Sequence, residues 1–273
     1  MPKEYLKQVR TTTPLVHNIT NYVTVNDCAN ILIACGGAPI MADDLDDAVE
    51  ITAICGGLNL NIGTLNSRTI PTMFAAGKKA AELGHPILLD PVGAGASTLR
   101  TKTASDLADQ LPLTVIRGNL SEIKTLATGS GGARGVDAAI ADVINEDTLD
   151  GIITFAQDYA KRSGAIIAIT GATDLVTTAD QACVIKNGDP MMASITGSGC
   201  MLSAMTTAYL TANPNDPFMA TVAAICAMGV CGEIAKAALL PGEGNATFRN
   251  RLIDAVYNLT GDTLDTQARF TLI

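Results

Sequence analysis

The segment "ITGSGCML" (195–202) places a cysteine directly behind Gly-Ser-Gly, at the head of an apolar stretch with helical spacing. Glycines at a helix start let unpaired backbone N–H groups approach an anion, and the positive end of the helix dipole favours negative charge there. A transferring phosphoryl group would be stabilised by such a cradle. The same field predicts a lowered, more thiolate-like Cys200. The competing reading is a tight turn followed by a buried, inert thiol, because free cysteine is among the most buried residue types. On the motif alone the two readings balance.

Three more segments end apolar runs in chemistry-bearing residues. "ILLDPVGAGAS" (87–97) sets Asp90 before a proline and a Gly-Ala-Gly turn. A carboxylate there suits Mg²⁺, directly or through water, or serves as an Asx-type turn. "IRGNLSEI" (116–123) carries Arg117, whose guanidinium would neutralise a nucleotide phosphate. Asn119 and Glu122 have the spacing of a reciprocal helix cap, and a capped carboxylate is also well held for orienting a hydrated cation. "AIIAITG" (165–171) ends in Thr170. Further upstream, "PLVHNITNYVTVNDCANILIACGGAPIMADD" (14–44) is dense in Asn and Thr and runs into Gly-Gly and Met41. Polar side chains beside an apolar wall suit a small heterocycle with one hydroxyl; capping and turn chemistry is the alternative. His17 reads as a hydrogen-bonded structural histidine rather than a base. A G-x-x-x-x-G-K-[ST] loop and a G-x-G-x-x-G following the first strand are both missing from the sequence, which argues against a P-loop or a dinucleotide fingerprint.

These residues need a scaffold that brings distant segments together. Residues 57–64, 85–95, 113–119 and 165–171 read as buried strands ending in loops. "RTIPTMFAAGKKAAELG" and "ITFAQDYAKRSG" between them have helical spacing and end in Gly. Alternation of strand and helix predicts right-handed βαβ units on a parallel sheet. After residue 171, "ATDLVTTADQACVIKNGDP" reads as a hairpin, and residues 200–212, 217–240 and 245–259 as helices. The expectation is one three-layer α/β domain over residues 1–273. Ligands in such folds bind beyond the C-terminal ends of the strands, where Asp90, Arg117 and Thr170 fall.

Composition agrees: 48% hydrophobic and only 4% aromatic residues, with no Trp, suit helices layered on a parallel sheet. A formal net charge of −9 argues against a nucleic-acid surface. Seven cysteines without a C-x-x-C pair, and only two histidines, argue against a zinc site or a disulfide framework. "MPKEYLKQVR" shows no apolar signal region, so a cytoplasmic protein with reduced thiols is expected. Residues 190–215 carry no charge, but their glycines, prolines and hydroxyls predict a buried loop and a helix rather than a membrane span.

Taken together and in order, "PLVHNITNYVTVNDCAN", "GGAPIM", "LNIGTL", "ILLDPVGAGA", "IRGN-x-x-E", "AITG" and "TGSGC" resemble the hydroxyethylthiazole kinase family, the thiamine-salvage branch of the ribokinase-like superfamily. The resemblance runs from residue 14 into the last predicted helices. It implies a ribokinase-like α/β/α sandwich that transfers the γ-phosphoryl group of ATP to the primary alcohol of 4-methyl-5-(2-hydroxyethyl)thiazole with Mg²⁺. It also implies a homotrimer with thiazole sites near subunit boundaries. Carried over by motif, Met41 and Gly197 match substrate-contacting positions, and Arg117 and Thr170 match ATP-binding ones. Asp90 and Glu122 match the acidic positions associated with Mg²⁺ and phosphate. Cys200 stands where most ribokinase-like enzymes carry an aspartate base, and cysteine there is typical of the thiazole kinases. Ser198 replaces the commoner Ala between the two glycines, and Pro39-Ile40 before Met41 is a mild variant. Three other readings stay open: a kinase for a hydroxymethylpyrimidine or pyridoxal-type alcohol, a Cys200-nucleophile hydrolase, and a non-catalytic thiazole or nucleotide sensor.

Overall fold

The structure is a computed structural model that describes residues 1–128, 144–145 and 147–273. Its described strands are β1 (Leu15–Ile19), β2 (Ala38–Met41), β3 (Gly57–Asn61), β4 (Ile87–Asp90), β5 (Val115–Gly118), β6 (Ile166–Ile169), β7 (Asp174–Thr177), β8 (Ala182–Ile185) and β9 (Phe270–Leu272). They form one sheet in the order β2-β1-β3-β4-β5-β6-β7-β8-β9. Pairings from β2 through β6 are parallel, and those from β6 through β9 are antiparallel. The strands expected from sequence become β3 to β6, and the expected hairpin becomes β7 and β8. The added strands are β1, β2 and the C-terminal β9.

Helices cover both faces, as a parallel sheet of apolar strands requires. One face carries α1 (Pro2–Thr12), α2 (Val25–Cys35), α8 (Ser198–Ala212), α9 (Pro217–Ala237) and α10 (Asn245–Asn258), with α11 (Gly261–Gln267) against α1. The other carries α3 (Leu45–Ile54), α4 (Thr69–Glu82), α5 (Thr98–Gln110), α6 (Leu120–Thr128) and α7 (Leu149–Ser163). Strand side chains divide by parity between the two cores. Leu58, Leu60, Ile87, Leu89, Ile116, Ile167 and Ile169 face the second set, while Val16, Leu88, Val115 and Ala168 face the first.

Two helices are buried nearly all round. Every residue of α8 from Cys200 to Leu210 is buried, the pattern of a helix inside a core rather than on a surface. Helix α9 is long and apolar enough to cross a membrane, with mean hydropathy 1.8, but 83% of that window is buried inside the protein. The uncharged stretch 190–215 divides into an exposed to half-buried 3₁₀ turn (Pro190–Ser194) and then α8, so its first part is not the buried loop expected. Helix α8 runs antiparallel to β3. Its start places Cys200 beside Asn61 at the end of β3, and its last turn brings Thr211 against Gly57 at the beginning of that strand. Eleven helical residues span about 16 Å, close to the length of a five-residue strand. The positive end of α8 is thereby fixed over the C-terminal edge of the sheet.

Polar residues inside β1 explain why it does not read as a strand. His17 is fully buried, with Nδ1 2.8 Å from Thr52 Oγ1 and Nε2 2.8 Å from the Ala42 carbonyl. Asn18 pairs in register with Asn59, whose Nδ2 donates to Asn18 Oδ1 at 2.9 Å. Burial pushes the His17 imidazole below its usual range, so the folded state binds its proton less readily than the unfolded chain. His17 therefore contributes stability above its unfolded value of 6.5, and that contribution is lost as pH falls through and below it. Thermal melts at pH 7 and pH 5 test this: the Tm of the native chain is expected to drop more over this interval than that of His17→Gln. Equal drops would show that His17 carries none of the dependence.

Candidate active site

Strand parity and register gather the chemistry. Asn61 and Asp90 are partners across β3 and β4, and Leu89 faces Ile116 across β4 and β5, which brings Arg117 level with Asp90. With Leu60, Leu89 and Ile116 turned to one face, the next residue of each strand turns to the face covered by α8. Thr170 follows two residues after Ala168, the register partner of Arg117. The C-terminal edge thus reads, from one side to the other, Met41 on β2, Asn21 after β1, Asn61, Asp90, Arg117 and Thr170.

Asp90 is the centre of this row and is 1% exposed. Its Oδ2 accepts from Ser203 Oγ at 2.8 Å, Asn61 Nδ2 at 2.9 Å and Arg117 Nη1 at 3.4 Å. Its Oδ1 is buried with no partner. Burial pushes the carboxyl above its ordinary range, opposed by Arg117, Ser203 and Asn61. The Arg117 guanidinium donates from Nη2 to Thr170 Oγ1 at 2.6 Å, and its Nε is also buried without a partner. A Cβ on Gly199 would stand 2.8 Å from Nη1 and 2.9 Å from Nη2. Only glycine lets the first turn of α8 lie against that guanidinium.

Cys200 occupies the first turn of α8, with Gly197 as N-cap at φ 85°. The left-handed backbone suits glycine, and a Cβ there would collide with the Thr24 methyl group. The amides of Ser198, Gly199 and Cys200 have no acceptor within the helix; the first helical bond runs from Met201 N to the Gly197 carbonyl. Cys200 Sγ receives Asn21 Nδ2 at 3.2 Å and Asn61 Nδ2 at 3.3 Å. The expected thiolate character is not found. Burial, then the nearby Asp90 charge, push the thiol up, and together they outweigh the hydrogen bonds from Asn21 and Asn61.

Glu122 comes from the opposite helical layer. Its Oε2 accepts from Asn119 N at 2.8 Å while Asn119 Oδ1 accepts from Glu122 N at 2.9 Å, the reciprocal cap expected from the spacing. Its Oε1 accepts from Gly93 N at 2.8 Å, tying the loop after Asp90 to α6. Met41 is half-buried near the same edge, three strand spacings or about 14 Å across the sheet from β4 and two residues short of the level of Asp90. Cys200, Asp90, Arg117 and Thr170 therefore form one contact network, Glu122 joins it through the 91–95 loop, and Met41 stands apart along the edge.

Sequence reading did not single out Asn21, Asn61, Ser203 or Asp174. Ser203 lies three residues after Cys200 and so on the same helix face, and Asn61 ends an apolar strand as Asp90 does; both were available signals. Asp174 is buried at the start of β7, where it accepts from Gly171 N at 2.9 Å and fixes the turn that follows Thr170. Burial pushes it up to about 7. Neither histidine supplies a base to Cys200: both His17 nitrogens are engaged elsewhere, and His85 precedes β4 at the opposite edge of the sheet.

The hydroxyethylthiazole kinase family model matches residues 6–262. A hydroxyethylthiazole kinase from Clostridium acetobutylicum is 58% identical over 270 residues, covering 99% of both chains. The solved hydroxyethylthiazole kinase of Pyrococcus horikoshii superposes with a TM-score of 0.87 at 32% identity, over 100% of this chain and 98% of the other. Pyridoxal kinase from Staphylococcus aureus, solved with AMP-PCP and pyridoxal, shares the fold at a TM-score of 0.62 and 14% identity, over 95% of this chain and 98% of its own. The three-layer sandwich is the ribokinase-like fold, and with this match over nearly its whole length the chain belongs to the hydroxyethylthiazole kinase family.

Proposed function

We propose that the chain transfers the γ-phosphoryl group of ATP to the primary hydroxyl of 4-methyl-5-(2-hydroxyethyl)thiazole, in thiamine salvage. The observation that carries this reading is the order of side chains along the sheet edge. Met41 and the asparagines lie at one end, Arg117 and Thr170 at the other, with Cys200 and Asp90 between them. An acceptor alcohol at the first end and a nucleotide at the second would meet over the start of α8. Met41 and the backbone at Gly197 would contact the thiazole. Arg117 and Thr170 would hold the nucleotide phosphates.

The residues themselves account for most of the work, since phosphoryl transfer depends on positioning and charge stabilisation. The free amides of residues 198–200 and the Arg117 guanidinium face the region where negative charge would gather. Cys200 would orient the hydroxyl and accept its proton. A raised thiol is only partly ionised at neutral pH, so it acts as a modest base. Mg²⁺ fits the site: Asp90 Oδ1 is a buried carboxylate oxygen with no partner. Among the described residues no cluster of three or more His, Cys, Asp or Glu forms a cage, which suits an ion that keeps waters and takes phosphate oxygens. Asp90 and Glu122 would hold it, directly or through water, and when bound it would neutralise phosphate charge.

We read the chain as one catalytic domain that assembles as a homotrimer. Tyr22 and Val23, 78% and 57% exposed on the loop that carries Asn21, support a subunit boundary at the acceptor end. Free cysteines throughout support a reducing, cytoplasmic setting.

A coupled ADP-release assay is expected to show Mg²⁺-dependent turnover with the thiazole alcohol, and much less with pyridoxal or a hydroxymethylpyrimidine; preference for either of those would replace the acceptor assignment. Cys200→Ala is expected to lower kcat about 100-fold while leaving measurable activity. Because the thiol is pushed up, kcat of the native chain should keep rising with pH above 8, and this limb should vanish in Cys200→Ala; an unchanged limb would remove Cys200 as the base. Gly199→Ala is expected to displace the Arg117 guanidinium and raise KM for ATP about tenfold, with a smaller effect on KM for the alcohol. Equal changes in both constants would place Arg117 elsewhere.

A further inference from the structure

Both asparagine amides beside Cys200 have an orientation that main-chain donors dictate. Asn61 Oδ1 accepts from Gly63 N at 2.9 Å, and Asn21 Oδ1 accepts from Thr24 N at 3.1 Å and from Thr24 Oγ1 at 3.0 Å. A backbone N–H can only donate, so each Oδ1 must face it and each Nδ2 must face the other way. An amide nitrogen has two hydrogens to give. Those of Asn61 reach Asp90 Oδ2 and Cys200 Sγ, and those of Asn21 reach Asn61 Oδ1 and Cys200 Sγ. Asn61 is 1% exposed, and its polar atoms are all in use.

We infer that Asn61 is a positioning residue for phosphoryl transfer, locking the Asp90 carboxylate and the Cys200 thiol into one arrangement. This rests on the kinase reading of the site. With Asn61 and Ser203 both donating to Oδ2, the Asp90 carboxylate cannot rotate without losing both, and Oδ1 stays presented as the free atom. The second hydrogen of the same amide fixes where Sγ sits and favours its ionised form, because a thiolate is the better acceptor. Neither effect is available to an apolar residue at the end of β3, and an aspartate there offers no amide donor.

A double-mutant cycle tests the coupling. Steady-state kinetics with the thiazole alcohol and Mg·ATP would be measured for the native chain, Asn61→Ala, Cys200→Ala and the double variant. Asn61→Ala is expected to lower kcat about 100-fold with KM for ATP nearly unchanged. The double variant is expected to be little worse than the poorer single one, since residues acting as a unit are not additive. Multiplying effects, or full kcat in Asn61→Ala, would overturn the inference. A second measurement does not depend on turnover: the rate at which iodoacetamide alkylates Cys200, followed by peptide mass. Asn61→Asp, with its Tm measured alongside, is expected to slow this rate about tenfold or more by replacing the donor with an acceptor. An unchanged rate would overturn the inference even if the kinase activity stands. An enzyme inactive on the thiazole alcohol, with the slowed alkylation, would instead remove the kinase reading and keep the local coupling.

Discussion

The structure around the site depends on how one carboxylate is buried. An ionised Asp90 without partners would be too costly at 1% exposure, so donors must come to it. They arrive from β3 through Asn61, from β5 through Arg117 and from α8 through Ser203. Each donor fixes its own element. The pairing of β3 with β4 places Asn61, that of β4 with β5 places Arg117, and the crossing of α8 over the sheet places Ser203. Shifting β3 or β5 by one residue would turn its polar end to the other face and take one of these donors from Asp90.

The same burial sets the character of Cys200. A helix start and two amide donors favour the thiolate, while desolvation and the neighbouring carboxylate oppose it. The second pair prevails. The cradle made by the amides of residues 198–200 is therefore open to an incoming anion rather than already satisfied by a resident one. A thiolate in the first turn would compete with phosphate for that field. A thiol held above its ordinary range leaves that field without a resident negative charge.

Much of this was legible in the sequence. Apolar runs ending in Asp90, Arg117 and Thr170 announce buried parallel strands whose chemistry lies at their C-terminal ends, and β4, β5 and β6 fall there. The Asn119–Glu122 spacing gives the reciprocal cap directly, because both partners lie on one local turn. What was not legible depends on distant segments meeting. Asn61 and Ser203 are ordinary residues until the register of β3 with β4 and the tilt of α8 bring both to one oxygen. β1 is hidden by His17 and Asn18: both His17 nitrogens and Asn18 Oδ1 find their partners in Thr52, Ala42 and Asn59, all remote in sequence. The thiol's direction failed for the same reason: the helix end is visible in "TGSGC", but the depth of burial and the distance to Asp90 are not.

Unpaired atoms then separate packing from function. Buried hydroxyls of Thr206 and Tyr209 also have no partner in the core of α8, and a neutral hydroxyl left so costs about 1–3 kcal/mol. Asp90 Oδ1 and Arg117 Nε are different, since they belong to charged groups in contact with each other. Charged pairs buried only for stability would be expected to saturate their hydrogen bonds, because breaking even one is expensive. Here Asp90 has all of its donors on a single oxygen, and Arg117 spends one nitrogen on Thr170 and another weakly on Asp90. Arg251 Nε and Asp265 Oδ2 are also buried without a hydrogen-bond partner, but each belongs to a more exposed ion pair; an unsaturated pair as deeply buried as Asp90 and Arg117, at the C-terminal ends of the strands, marks a site prepared for something that binds. That site lies between the end that carries Met41 and the end that carries Thr170, where an alcohol and a phosphate would have to meet.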